Sequence, residues 1–245
     1  MIILGVDTSA NMGGAAIVSG QGLVAEYLLR IHNGHSERII PAVERVLSDS
    51  GLNLADMTVF AVVTGPGSFT GIRVGLATVK GFAYSLDKPI IPVTAMEALA
   101  WQFRGYPHLI YPIIDARRRE VFTQPFLGGK PVKAALNCKI SDLVAELASY
   151  SEPILFVGQG ALDYREHLAQ LPQAVFPAAE QAGLRPSSVA GLGLHLLQQV
   201  QAKAGNTAWP QSSLLSGGEN SLRQLGQMFP IVKCTLTDKQ NWLRV

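Results

Sequence analysis

The stretch that decides the fold class is TVFAVVTGPGSFTGIRVG, residues 58–75. It opens with a continuous apolar run over 58–64, which is typical of a strand buried on both faces of a sheet. The residues Gly65-Pro66-Gly67-Ser68 then predict a tight loop, after which we expect a helix from Phe69 to Ser85. A buried strand that leads through a tight loop into a helix indicates an α/β fold.

The flanking sequence extends this unit in both directions. Upstream, apolar runs predict three strands, at 2–6, 13–18 and 24–31, and a helix over Ser36–Ser50 that Ser36 can cap and Gly51 ends. Downstream we expect a strand at 90–93 and a helix at 95–103. The pattern then restarts, with predicted strands at 109–114, 121–126 and 154–157 and predicted helices at 141–150, 162–170 and 187–203.

The restart after Arg104 divides the chain into two lobes, each of which opens with a hairpin-like segment. We assign residues 1–104 to a first lobe, residues 105–210 to a second lobe and residues 211–245 to a tail. The tail has weak periodicity, and we expect it to be poorly ordered. A meander of strands followed by alternating strands and helices predicts mixed sheets flanked by helices.

Composition narrows the class of protein. The 245 residues include 20 Lys and Arg against 18 Asp and Glu, a net charge of +2, which disfavours a protein that binds nucleic acid on its own. Cys138 and Cys234 lack Cys-x-x-Cys spacing, which disfavours a disulfide scaffold or a cysteine-built zinc site. There is no basic signal-peptide start and no apolar run of about 18 residues, so we expect a cytoplasmic globular protein with no membrane association.

Two motifs suggest phosphate chemistry, and both are incomplete. The loop from Gly65 to Gly71 lies between a strand and a helix, as phosphate loops do, but it has no Gly-Lys-Ser/Thr, and Thr70 stands where a third glycine would be. The segment Asp7-Thr8-Ser9 resembles the phosphate-facing turn of actin-like kinases, without its usual glycine. The alternative for the loop is a tight strand-to-helix turn with a purely structural role.

Other polar clusters offer little catalytic chemistry. His32 and His35 flank the helix-breaking pair Asn33-Gly34, and no carboxylate or cysteine completes a metal site with them. No Ser/His/Asp or Cys/His set can be assembled, so we assign no catalytic and no metal-binding residue.

Two features leave a structural and a functional interpretation open. Gly71, Gly75 and Thr78 share one face of the predicted helix, which indicates close packing against either this chain's own sheet or a helix of another chain. The basic cluster Arg117-Arg118-Arg119 is either a solvated turn or a contact for RNA phosphates.

Together these residues resemble the TsaB (YeaZ) family of bacterial tRNA threonylcarbamoyladenosine biosynthesis proteins. The resemblance is strong to about residue 122 and moderate to about residue 205. It rests on five stretches, of which 65–75 is the most specific and the last two are weaker: 3–9, 35–41, 65–75, 115–121 and 158–161.

The resemblance implies a two-lobed actin-like/Hsp70-like ATPase fold with mixed five-stranded sheets. It also implies a complex with the catalytic subunit TsaD and the ATPase TsaE, which transfers a threonylcarbamoyl group to N6 of adenosine 37 in tRNA. The catalytic member carries a metal-binding His-x-x-x-His, whereas here Ile39 follows His35 at that spacing. We therefore expect a non-catalytic scaffold or dimerisation subunit, with ATP and metal bound by the partner subunits.

The resemblance also suggests residue roles. Partner binding is assigned to the first lobe, through Ile39, Ile40, Val43, Leu47, Gly71, Val74, Gly75 and Thr78. Vestigial nucleotide-site positions are Asp7, Thr8, Ser9, Gly158 and Gly160. We expect a heterodimer with TsaD, contact with tRNA through the complex, and a homodimer when the chain is alone. The alternatives are an actin-fold small-molecule kinase and a glycoprotease-like peptidase.

Overall fold

The first lobe is built on a five-stranded mixed sheet. The computed structural model describes residues 1–30 and 35–203. The strands of this lobe are β1 (Ile2–Asp7), β2 (Met12–Ser19), β3 (Gly22–Arg30), β4 (Val59–Val63) and β5 (Ile90–Val93). They lie in the order β3-β2-β1-β4-β5, in which β1, β2 and β3 pair antiparallel and β1, β4 and β5 pair parallel.

Between and after these strands the chain forms three α-helices and a short 3₁₀ helix at Leu54–Asp56. The α-helices are α1 (His35–Ser50), α2 (Phe69–Leu86) and α3 (Ala95–Gln102). Helix α1 packs against β2, β3 and α2, where Ile39, Val43 and Val46 are buried with Phe60 of β4. The Ser68 side chain caps α2, since its Oγ accepts a hydrogen bond from the Gly71 N–H at 3.3 Å.

The second lobe contains a seven-stranded sheet. Its strands are β6 (Leu109–Arg117), β7 (Glu120–Thr123), β8 (Phe126–Leu127), β9 (Lys130–Pro131), β10 (Leu136–Lys139), β11 (Ile154–Val157) and β12 (Ala174–Val175). Five of them follow the order β10-β7-β6-β11-β12, and β8 joins β6 to β9. The helices here are α4 (Ile140–Leu147), α5 (Gln159–Asp163), α6 (Arg165–Leu168) and α7 (Ala179–Ala182).

Helix α8 (Pro186–Lys203) lies within the residues predicted to form the second lobe, but it packs against β1, β2 and β4 of the first sheet. Gly5 allows this approach, because a Cβ atom added there would lie 2.5 Å from the Ala190 backbone nitrogen. The first sheet is thus covered on both faces, with Ile3 and Ala61 in the cluster beneath α3 and α8, and with Phe60 in the cluster beneath α1 and α2. Two covered faces explain why its central strands are continuous apolar runs.

The α/β class, the mixed sheets and the long helices predicted from the sequence are confirmed. The second sheet has seven strands rather than the expected five, because β8 pairs with β6 and β9 pairs with β8. The other differences are local. The helix predicted at 162–170 is two short helices, α5 and α6, and α5 already begins at Gln159. Strand β6 continues to Arg117 rather than ending at Ile114. The strand predicted at 121–126 ends at Thr123, and Phe126 begins the separate strand β8. Strands β9, β10 and β12 and helix α7 were not predicted, because two to four residues are too few to show a period.

Some predictions lie outside the described residues, namely the poorly ordered tail at 211–245 and the role of His32 and the His35 side chain. The division into lobes at 104 and 210 stays a prediction. Within residues 1–30 and 35–203, no helix combines the length and the apolar character needed to cross a lipid bilayer.

Glu26 ties the edge strand β3 to the start of α8. Its side chain is only 6% exposed and accepts hydrogen bonds from the Arg185 guanidinium and, at 2.9 Å, from the Ser187 N–H. Burial alone would raise the pKa of Glu26, but the hydrogen bonds from Arg185 and Ser187 outweigh it and hold the pKa below its ordinary value. The carboxylate therefore stabilises the place where the chain returns from the second lobe to the first.

We expect Glu26→Ala to lower the free energy of unfolding by about 2–3 kcal/mol at pH 7, because it leaves a charge and an N–H without their buried acceptor. The control is Asp49→Ala in the exposed pair Arg45–Asp49, which should cost less than about 0.5 kcal/mol. Because the pKa of Glu26 is lowered, its contribution is complete above the ordinary value of 4.5 and fades as the pH falls below it. Urea denaturation of both variants measures this, and equal losses at pH 7 would contradict it.

Candidate functional site

A cleft of about 660 Å³ opens between the two lobes. The β1–β2 turn and the loop before α2 form its wall in the first lobe, and the end of β6 and the start of α5 form its wall in the second. Its polar lining residues are Ser9, Asn11, Ser68, Thr70, Asp115, Arg117, Gln159 and Asp163.

The turn Asp7-Thr8-Ser9 is buried at the base of the first-lobe wall. Asp7 Oδ1 accepts hydrogen bonds from the Ser9 N–H at 2.8 Å and from Ser9 Oγ at 2.6 Å. Asp7 Oδ2 has no hydrogen-bond partner in the described part of the chain. Burial raises the pKa of this carboxyl to about 6, although the bonds from Ser9 act in the opposite direction. The Ser9 amide is therefore used within its own turn.

The second lobe has the same kind of aspartate-to-backbone hydrogen bond at the turn between β6 and β7. Asp115 Oδ1 accepts hydrogen bonds from the Arg117 N–H at 3.0 Å and from the Tyr164 hydroxyl at 2.8 Å. In both lobes, then, an aspartate accepts the N–H of the second residue after it. The likeness of these two turns was not predicted, although each aspartate directly follows a predicted strand, at 2–6 and at 109–114.

The loop before α2 packs on the first of these turns. The Ser68 N–H donates to the Ser9 carbonyl oxygen at 2.7 Å, and a Cβ atom on Gly67 would collide with that same oxygen. The Ser68 hydroxyl accepts the Gly71 N–H. Two of the amides that a phosphate loop would present are thus bonded inside the chain.

Gly71 and Gly75 face Thr8 of the same chain. A Cβ atom on Gly71 would collide with the Thr8 carbonyl oxygen, and one on Gly75 with Thr8 Oγ1. The Thr8 hydroxyl also donates to the Gly71 carbonyl oxygen at 2.7 Å. Of the two interpretations left open by the sequence, internal packing accounts for the small size of both residues.

The other predicted partner-binding residues divide by exposure. Ile39 and Val43 are buried in the core beneath α1, and Leu47, Val74 and Thr78 are partly exposed. Ile40 is 40% exposed. Two exposed aromatic residues of α2 were missed by the sequence analysis, Phe69 (68%) and Tyr84 (51%), although both belong to the predicted helix. The exposed residues Ile40, Phe69 and Tyr84 lie on the side of α1 and α2 that faces away from the sheet, which we call the outer side of the two helices.

Gly158 and Gly160, which were predicted as vestigial nucleotide-site positions, line the cleft, and close packing explains why both are glycines. A Cβ atom on Gly158 would lie 2.7 Å from the Ile113 carbonyl oxygen, and one on Gly160 would lie 2.6 Å from it. Both glycines allow α5 to approach β6. No group of three or more His, Cys, Asp or Glu side chains suited to a metal ion occurs among the described residues.

Comparison with known proteins gives consistent matches. The family model described as TsaD, tRNA N6-adenosine threonylcarbamoyltransferase, matches residues 29–206. TsaB of Bacillus subtilis, a tRNA threonylcarbamoyladenosine biosynthesis protein, is 34% identical over 199 residues, which cover 79% of this chain and 87% of that relative. The structure of YeaZ from Pseudomonas aeruginosa matches with a TM-score of 0.66 and 23% identity, over 80% of this chain and 92% of that chain.

A more distant structural neighbour is the activator of 2-hydroxyisocaproyl-CoA dehydratase from Clostridium difficile, with bound ADPNP. It matches with a TM-score of 0.51 and 12% identity, over 85% of this chain and 98% of that chain. The structural likenesses show an actin-like ATPase fold, and the sequence match over most of both chains shows the family. The chain belongs to the TsaB (YeaZ) family of tRNA threonylcarbamoyladenosine biosynthesis proteins.

Proposed function

We propose that this chain is the non-catalytic subunit of the tRNA N6-threonylcarbamoyladenosine synthesis complex, where it binds and stabilises the catalytic subunit TsaD. The observation that supports the non-catalytic role is that, at both turns lining the cleft, a backbone N–H group is already bonded to an aspartate of the chain itself. Backbone N–H groups at turns and helix starts are the donors that a phosphate group needs. Here Ser9 and Arg117 donate theirs to Asp7 and Asp115.

The charges at the cleft support the same role. Asp115 and Asp163 line it, and Arg117 is the sole cation among its described lining residues. Two carboxylates beside one guanidinium oppose the entry of a polyphosphate, because like charges at short range repel. We infer that ATP and its metal ion bind to the partner subunits.

The outer side of α1 and α2 is the proposed docking face for TsaD. It exposes Ile40, Phe69 and Tyr84, and the Arg73 guanidinium lies 3.8 Å from the centre of the Phe69 ring. Exposed apolar and aromatic side chains with a neighbouring arginine are typical of binding surfaces. Ile39, Val43, Gly71 and Gly75 support this face from inside the chain.

In this proposal the two helices pack beside helices of TsaD, in the cytoplasm where the tRNA substrate is found. TsaE and tRNA then engage the assembled complex. In the absence of TsaD the same apolar face is available to a second copy of the chain.

For the docking face we expect Ile40→Asp to weaken association with TsaD by about ten- to hundredfold, since a buried unpaired charge opposes binding. The matched control is Leu23→Asp on β3, which replaces an exposed leucine in the same lobe and should leave the affinity unchanged. Titration by calorimetry measures both. If Ile40→Asp binds like the parent chain, TsaD docks elsewhere.

For Asp7 we expect Asp7→Asn to retain tRNA modification by the assembled complex, because the Asn oxygen can still accept from Ser9. The pKa of Asp7 rises from 3.8 to about 6, so the folded chain holds a proton that the unfolded chain has lost between these values. The free energy of unfolding of the parent chain should therefore fall by up to about 3 kcal/mol as the pH rises through this window. This decrease should be absent in the variant, and loss of activity in a well-assembled complex would show that Asp7 takes part in the chemistry.

For the isolated chain we expect neither ATP hydrolysis nor tRNA modification above a buffer blank, since the turn amides are already bonded. The measurement is phosphate release with magnesium and ATP, before and after a second purification step. Magnesium-dependent hydrolysis that survives repurification would overturn the non-catalytic role and favour the kinase alternative.

A further inference from the structure

The turn between β6 and β7 has an unusual backbone. Arg117, Arg118 and Arg119 have φ angles of 71°, 54° and 63°, so three consecutive residues other than glycine adopt the left-handed conformation. This conformation is unfavourable for residues with a Cβ atom. All three side chains are exposed, so burial of the arginines does not offset the strain. Strain of this kind is concentrated at functional positions.

Both ends of the turn are fixed to the second lobe. The Arg117 N–H donates to Asp115 Oδ1, which Tyr164 of the neighbouring segment also holds. At the other end, the Ile140 N–H donates to the Arg119 carbonyl oxygen at 3.1 Å. A turn held at both ends presents its side chains with less loss of entropy on binding.

The positive charges of the turn are not neutralised within the described part of the chain. None of the three guanidinium groups lies within 4.0 Å of a carboxylate there. Glu120 accepts a hydrogen bond from Asn137 Nδ2 at 3.2 Å. Lys139 lies opposite Glu120 in the β7–β10 pairing, and its exposed side chain adds a further cation near the turn. The turn therefore carries an excess of positive charge.

The three arginines do not share one environment. Arg117 lines the interlobe cleft, whereas Arg118 and Arg119 do not. Arg117 is the last residue of β6, and Arg118 and Arg119 form the two-residue turn that precedes β7. Arg118 and Arg119 are thus the pair at the tip of the hairpin.

We propose that Arg118 and Arg119 form a contact site for RNA phosphates, by which this chain helps to hold the tRNA. Arginine pairs with phosphate oxygens in a bidentate manner. The segment from Asp115 to Glu120 contains no large apolar side chain, which a protein partner would use as an anchor. The site lies in the second lobe, whereas the docking face for TsaD lies in the first. The proposal rests on the proposed function, in which tRNA is the substrate.

The test compares tRNA binding by the parent chain and by Arg118→Ala/Arg119→Ala, alone at low salt and in complex with TsaD. Loss of two phosphate contacts should weaken binding and reduce the slope of log K against log salt by about 1.5 to 2. The matched control, Lys130→Ala/Lys133→Ala, removes two exposed cations from the same lobe and should leave the slope unchanged. Arg118→Lys/Arg119→Lys keeps both charges and should retain most of the slope.

Each outcome decides the proposal. An unchanged slope in the double alanine variant, or an equal loss in the control, would overturn it. A variant that fails to assemble with TsaD but binds tRNA normally by itself would assign the turn to a protein interface instead. If the parent chain does not assemble with TsaD, the proposed function fails, and binding by the chain alone still decides the role of the arginines.

Discussion

The contact between Thr8 and the glycines of α2 is the constraint on which the rest of the structure depends. Thr8 lies in the turn that ends the central strand β1, and Gly71 and Gly75 leave the space that it fills. This contact brings the start of α2 onto the β1–β2 turn, where Ser68 and Ser9 are bonded. One wall of the cleft and the direction of α2 are therefore set together, because neither can shift without disrupting the other.

In the proposed function, the same constraint connects a cleft that binds no nucleotide with a surface that binds TsaD. Amides that would be offered to a phosphate are bonded to Asp7, Asp115 and Ser9, so the turns are stable without a ligand. The helix that leaves this region, α2, is buried along its glycine side and exposes Phe69 and Tyr84 on the other. A fold that holds a nucleotide in the dehydratase activator thus provides, in this proposal, a rigid support for a partner protein.

Much of this could be predicted from the sequence, because the central strands and long helices have clear periods. The position of α8 could not be predicted from the sequence. Its packing on the first sheet depends on a contact between Gly5 and Ala190, which are far apart in the chain. The glycines of α2 predicted that another part of the protein approaches this helix closely. That this part is Thr8 of the same chain is known only from the structure. The left-handed arginines carry no sequence signal, because arginine is not a residue that favours positive φ angles.

The central claim is that this chain functions through the outer side of α1 and α2 and not through its cleft. Hydrogen–deuterium exchange of the chain with TsaD, and separately with ATP, tests this claim most directly. We expect TsaD to slow exchange in α1 and α2, and ATP to leave the exchange rates of the turns at Ser9 and Arg117 unchanged in the isolated chain. Slower exchange at those two turns with ATP, together with unchanged exchange in α1 and α2 with TsaD, would contradict it.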